Sequence, residues 1–500
     1  MFNTLALLAL AVAPGDIGSA TVLTDFGASR PIAIAQDSLP ALQEKFTRAL
    51  QQERTEEALG HVKAILGHPD FARAPEQRRL SALYLAGLLN LELGRHAAAA
   101  PYLVEATSVP GATQEQWFYR LQAQAGAGDL SAAAASLTIM LDRFPGVLDD
   151  LSDRYVAQLV HSSELDDDTA FRLRSALYEA NWDYEFADWI WVSLINDLVK
   201  RDRGAEAAPM VARVSLPDAR LQLFSLHRYD AIRPADATLD LQRLYASSLE
   251  LQRKAVEKPD AALSDFVAYA GGLSERAQFE QALAIADAAL ARPAPEADSE
   301  DAEQLTWIMD IRSRALMALG RPDEALAQMQ AAMARSEGGV PNVSQTINLG
   351  WLYMRMGRNA EAVEAVSEVT EGAVSPYGMM QALQVRACAA AAMGDEATAA
   401  PAFAHLAENW KDASAAAYGA LACRGDEEGM AALMIARLTD PKTADDTLQA
   451  LHTYIDTPNM TAFDIRLSEV HRRVIARPEV IAARDAVGQV YEVPTIGPEF

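Results

Sequence analysis

Few residues in this chain have the type and spacing that chemistry requires. Its 500 residues include two cysteines and eight histidines. The histidines are scattered, with no HExxH spacing to set two imidazoles on one helical face for zinc, and none clusters with a cysteine. No Gly-rich phosphate loop, GxSxG elbow or kinase-type phrase occurs. The acidic run Asp166-Asp167-Asp168-Thr169 lacks the Gly and terminal Glu of a calcium loop, and reads as an N-cap with favourable charge at a helix start. The expectation is therefore no catalytic, cofactor-binding or metal-binding residues and no cofactor. Function must then reside in surfaces, and the elements that build them dominate the sequence.

Those elements are announced by a repeated phrase. In Thr346-Ile347-Asn348-Leu349-Gly350-Trp351-Leu352-Tyr353-Met354-Arg355-Met356-Gly357-Arg358-Asn359-Ala360-Glu361-Ala362, a Leu-Gly pair precedes an aromatic, a glycine and an Ala-rich run. That is the spacing of a helix, a tight turn and a second helix. Copies place Gly94 and Gly128 34 residues apart, and Gly320, Gly357 and Gly394 at intervals of 37. A period in this range marks stacked helix pairs, none of which can bury its apolar face alone. Small residues such as Gly350, Ala362 and Ala99 let backbones approach, while Trp117, Leu349, Tyr353 and Phe403 fill the space between layers.

The phrase resembles the tetratricopeptide repeat family, whose unit carries Leu-Gly, Tyr, a turn Gly, Ala and a closing Pro at fixed offsets. One copy supplies Leu349, Gly350, Tyr353, Gly357, Ala362 and Val366. Another supplies Leu83, Ala86, Gly87, Gly94, Ala99, Leu103, Ala106 and Pro110, and a third Trp117, Gly128, Ala133, Leu137 and Pro145. The resemblance implies an all-α fold, an α-solenoid in which helix-turn-helix repeats stack as a right-handed superhelix. It also implies a non-enzymatic scaffold that binds a peptide segment or protein on a concave surface lined by the first helix of each pair. By position the candidates are Tyr84, Leu88 and Leu91, then Phe118 and Gln122. In the C-terminal repeats they are Trp307, Asp310 and Arg314, followed by Ile347, Trp351 and Met354. These positions are mostly apolar, so an apolar or aromatic-rich segment, a helical one included, suits them better than a peptide carboxylate. The alternative is a structural or accessory subunit of a cell-envelope assembly, such as a polysaccharide-export or outer-membrane machine.

The turn glycines also bear on the cysteines. Cys388 lies six residues before Gly394 and Cys423 two before Gly425. On adjacent first helices they would be offset by four residues, about 6 Å of rise. Adding about 9 Å between packed axes puts them beyond disulfide reach. Both are expected to be small buried packing residues.

The net charge is −26. No Lys/Arg cluster resembles a phosphate-binding stripe, which excludes nucleic acid and disfavours an anionic membrane surface. Thr4 to Ala13 is an uncharged Leu/Ala run, too short to span a bilayer and of the length of a signal-peptide core. Cleavage sites are available at Ala33-Ile34-Ala35 and Gly18-Ser19-Ala20, although no Lys or Arg precedes the run. With 36 Arg against 7 Lys, a high-GC bacterial source and a periplasmic location are expected, or a cytoplasmic one if the start is misassigned. The organisation expected is a signal peptide over 1–35 and an N-terminal array over 36–292, degenerate in 147–262. An acidic Pro-containing linker at 293–305, a C-terminal array at 306–441 and a helical cap with an extended tail at 442–500 complete it. In Trp182-Asp183-Tyr184-Glu185-Phe186-Ala187-Asp188-Trp189-Ile190-Trp191, helical spacing would put Trp182, Phe186 and Trp189 on one face and Tyr184 and Trp191 on another.

Overall fold

A computed structural model describes residues 37–497, apart from 183, 185, 186, 234–237, 294, 296–298, 338 and 339. The signal-peptide reading and both cleavage sites lie outside the described residues. The chain forms two compact units, Met1–Asp197 and Leu198–Phe500.

The first unit is a run of helix pairs: α1 Leu39–Gln51, α2 Thr55–Leu66, α3 Glu76–Glu92, α4 His96–Ala106, α5 Gln114–Gly126, α6 Leu130–Arg143, α7 Asp153–Val160, α8 Asp167–Glu179 and α9 Ala187–Lys200, whose end enters the second unit. Most of these helices pack chiefly on their neighbours in sequence, while α8 packs chiefly on α6. Phe46, Leu59, Ile65, Leu85 and Leu89 bury one core cluster, while Leu83, Tyr84, Ala99 and Leu103 bury the next. Sequence sets the helix starts. Thr113 accepts from the Gln116 N–H while the Gln116 side chain accepts from the Thr113 N–H at 3.0 Å, a reciprocal cap. Asp166 caps α8 as expected, accepting from the N–H groups of Asp168 and Thr169 at 3.0 and 2.9 Å.

The turns explain both the repeat and its decay. Gly357 has φ 73°, and the following Arg358 N–H reaches back to the Tyr353 carbonyl at 2.8 Å, closing the helix with a left-handed residue. Gly94, Gly128, Gly320, Gly394 and Gly425 make the same turn with φ between 68° and 80°. So do Glu53, Asn181, Asp202 and Ala277, with φ between 53° and 57°. After Ala277 the Gln278 N–H donates to the Leu273 carbonyl at 2.9 Å, the counterpart of the Gly357 turn. The signature fades over 147–262 because other residues occupy the left-handed position there, while the turn persists.

The second unit continues with α10 Gly204–Val211, α11 Pro217–Ser225, α12 Leu241–Val256, α13 Leu263–Glu275, α14 Phe279–Leu290, α15 Glu300–Ala318 and α16 Pro322–Met333. The strands β1 Ser336–Glu337 and β2 Val340–Pro341 form a small antiparallel hairpin. There follow α17 Val343–Arg355, α18 Asn359–Ala365, α19 Pro376–Met393, α20 Glu396–Glu408, α21 Ser414–Arg424, α22 Glu427–Thr439 and α23 Ala444–Ala450. The end of the unit comprises β3 Thr453–Ile455, α24 Ala462–Ile475, α25 Pro478–Val487 and β4 Glu492–Ile496, with β4 parallel to β3. The acidic stretch at 293–305 does not divide compact units. Part of it lies outside the described residues, and α15 begins within it and buries Leu305 and Ile308 against Leu263, Ala286 and Ala289 of α13 and α14.

Two sequence expectations are corrected. Cys388 and Cys423 form a disulfide, with Cα atoms 5.5 Å apart. Equating Gly394 with Gly425 misplaces the cysteines, because this interval is 31 residues instead of 37. Moreover, α19 and α21 meet through Ala387, Ala416, Ala417 and Ala420, which permit a close approach. The aromatic stretch is not one helix either. Asn181 turns the chain, α9 begins at Ala187, and Phe186 lies outside the described residues. Trp182 is buried and donates its indole N–H to Asp153 at 2.7 Å, Trp191 is buried edge-on to Tyr178, and Trp189 is half-exposed.

The last elements return to the first ones of the second unit. Gly488 bridges Leu226, the Gln489 N–H donates to the Ser225 carbonyl at 2.8 Å, and Arg228 forks onto Asp445. The array of the second unit is thus closed on itself.

Candidate functional site

The second unit also holds a half-open cavity of about 1060 Å³, above the usual range for a small-molecule site and ample for a peptide. On α15, Trp307, Asp310 and Arg314 recur at i, i+3 and i+7 and so share a face. On α17, Ile347 and Trp351 do the same. All five line the cavity. Met354 is instead buried in the core beside Leu349, Val366 and Val385. The stacking that brings α17 against its neighbours depends on Gly350, where a Cβ would lie 2.9 Å from Val366 Cγ1 and 3.0 Å from Val385 Cγ1.

The candidates of the first unit form no comparable enclosure with one another. Tyr84 is buried, its ring 6.1 Å from that of Tyr119, and burial followed by the nearby Glu115 raises its phenol pKa above the usual range. Leu88 and Leu91 are half-buried against the same core cluster. Phe118 and Gln122 are exposed on one face of α5, with Phe118 edge-on to Tyr119.

Charges in the cavity wall are paired with one another. Asp310, only 3% exposed, accepts from Arg314 Nε at 2.8 Å and from Asn348 Nδ2 at 3.2 Å. Arg355 of α17 grips Asp464 of α24 with Nε and Nη2, at 3.0 and 3.1 Å. The same Asp464 accepts from the Thr461 N–H at 3.0 Å, so one carboxylate both caps α24 and ties it to α17. Arg472 lies 3.6 Å from Asp456.

Two histidines also line the wall. Burial pushes the His452 imidazole down to about 4, and burial followed by Arg472 does the same for His471. The Tyr491 N–H donates to His452 Nδ1 at 3.2 Å, which makes Nε2 the protonated nitrogen and therefore the donor to Ser225 Oγ, also 3.2 Å away. Ser225 in turn donates to the Leu221 carbonyl at 2.7 Å.

Residues 442–500 supply the part of the wall that sequence reasoning missed. Phe463, Leu467 and His471 at i, i+4 and i+8 were a legible helical stripe. The successive residues Ala450 to Thr457, by contrast, line the cavity across a helix end and a three-residue strand, too short to leave a periodic signal. Among the described residues no group of three or more His, Cys, Asp or Glu is placed to hold a metal, and no helix is long and apolar enough to cross a membrane.

Helix pairs of tetratricopeptide length, closed by a recurring left-handed turn and stacked in series, define the chain as a TPR-like α-solenoid protein. No family model and no curated protein matches it. Among solved structures it is similar to the APC/C hetero-tetramer Cut9-Hcn1, at 14% identity over 91% of this chain and 97% of that one, with a TM-score of 0.28. It is also similar to Naa15/Naa10 bound to HypK-THB, at 13% identity over 89% and 74%, with a TM-score of 0.25. The P58(IPK) TPR domain matches at 15% identity over 78% and 99%, with a TM-score of 0.19.

Proposed function

We propose that this protein is a non-enzymatic, exported scaffold that binds an uncharged, apolar or aromatic-rich segment of a partner protein in the cavity of its second unit. The observation that carries this reading is the cavity wall itself. Trp307, Trp351, Tyr377 and Phe463 face a space whose charged side chains pair with each other. A ligand charge would have to break one of those pairs or go unpaired, whereas apolar side chains gain from burial against the rings. The Cys388–Cys423 disulfide supports an oxidising compartment, and the Thr4–Ala13 run supports export into one. A periplasmic location follows from that reading.

Photo-crosslinking tests the binding site. A benzophenone side chain at Trp351 should capture a defined partner from envelope extracts, while one at Leu251, 68% exposed and outside the cavity wall, should not. With that partner in hand, Trp351→Ala should weaken binding by about 2 kcal/mol, the range of interface anchors, and leave the melting temperature nearly unchanged. Equal capture at both positions would remove the cavity as the site. Cell fractionation with N-terminal sequencing tests export: a periplasmic product beginning near Gln36 or Thr21 is expected, and an intact Met1 in the cytoplasm would refute it.

A further inference from the structure

Among the described residues the strand β3 has one neighbour in its sheet. It pairs with β4 through Thr453↔Glu492 and Ile455↔Ile496, the register shifting between the two pairs by extra residues on β4 while β3 advances by two, and the Thr453 N–H donates to the Tyr491 carbonyl at 2.9 Å. In a parallel ladder a residue that bonds one neighbour sends both main-chain groups that way, and the next residue sends both to the other side. Thr453 and Ile455 therefore face β4 with their main chains, and Tyr454 presents its N–H and C=O at the opposite edge.

That edge belongs to the cavity wall. Side chains along a strand alternate between faces, so a wall made by one face would include every second residue. Here Thr453, Tyr454, Ile455, Asp456 and Thr457 all line it in succession. Thr453 and Ile455 are exposed, Ile455 at 41%. The cavity thus offers a main-chain donor and acceptor on one side and aromatic rings on the other.

We propose that the segment bound in the cavity is extended and adds to the edge of β3 as a further strand. This rests on the cavity being the binding site, and it names the partner's conformation. A helical segment satisfies its own main chain, so burying it here would leave the Tyr454 N–H and C=O dehydrated and unpaired. An extended segment pairs with them and points alternate side chains toward Trp307, Trp351 and Phe463. Because the wall's charges are already matched, those side chains are apolar and uncharged.

The test changes the ligand, so the fold of the protein is not at issue. An array of uncharged hexapeptides with alternating aromatic and small residues is probed with the full chain, and binders are remade with single N-methyl groups. Methylation at one parity should weaken binding roughly 10-fold, the scale of a lost main-chain hydrogen bond, and at the other parity hardly at all. Helix-favouring versions with α-methylalanine at alternate positions should not bind. If both parities respond alike, or the helical versions bind as well, strand addition is overturned. Should Trp351→Ala abolish binding in that case, the cavity still stands as the site. An array without a binder overturns both readings. A β3 edge occupied by a second copy would appear as a concentration-dependent dimer that peptides dissociate. Occupation by residues 498–500 would appear as tighter peptide binding after their deletion. Either result would also overturn the proposal.

Discussion

The two compact units use the same helix pair to different ends. In the first, helices pack on others one or two places away in the chain. In the second, residues more than 200 positions apart are joined. Gln222 donates to Asp445 at 2.9 Å, Ser225 meets His452, and Gln489 donates its side-chain N–H to the Phe224 carbonyl at 3.2 Å. Local pairing alone therefore does not decide whether a run of repeats encloses a space. What decides it is a terminal segment able to dock on the first layers, and here that segment also carries β3 and α24, part of the cavity wall.

Breaking the closure should have the largest effect. A Cβ on Gly488 would lie 2.1 Å from the Ser225 carbonyl oxygen, a backbone atom that cannot step aside. Gly488→Val should cost about 4 kcal/mol, combining overpacking with the lost main-chain bonds around it. Hydrogen exchange should show protection lost over 217–232 and 488–496, with the first unit unchanged. Retained protection in those segments would mean that the closure does not depend on this approach.

The disulfide is the next difference, since it lies wholly in the second unit. Cys388→Ser with Cys423→Ser should lower stability by about 4 kcal/mol, as expected for removing a cross-link across a loop of this length. Reductant should shift the melting of the native chain and leave the double variant unmoved.

Acid should also act on the closure. His452 is held near 4 against an ordinary 6.5, so as pH falls the unfolded chain takes up the proton first. The stabilisation is complete above about 6.5 and is lost as pH falls toward 4, a decline of roughly 3 kcal/mol. The melting temperature of the native chain should fall across that window, and His452→Asn should remove about half of the fall, since His471 is held down in the same way.

The smallest effect concerns what the units share. Glu53 in the first and Ala277 in the second occupy the left-handed turn position that Gly357 fills elsewhere. Glu53→Gly and Ala277→Gly should each stabilise by about 1 kcal/mol, by relieving the Cβ strain of that conformation. A loss of stability at either would show that the side chain contributes more than its strain costs.

Much of the architecture was legible in residue spacing. Helix length, the turn at Gly94 or Gly357 and the small residue at Gly350 are local demands, written within one repeat period and repeated until chance is excluded. The face shared by Trp307, Asp310 and Arg314 was legible for the same reason. Even the degenerate stretch obeyed the rule, with Asn181 and Asp202 adopting a turn for which the sequence offered no glycine.

Only the tertiary structure decided the rest. Whether Cys388 meets Cys423 depends on how far α21 shifts against α19, a matter of alanine packing and an interval of 31 residues that no repeat consensus encodes. Whether the array closes depends on small rotations accumulated over many layers, until Gly488 arrives beside Ser225. The role of Tyr454 emerges last, because a three-residue strand has no periodicity of its own and acquires an edge only when β4 pairs with its other side.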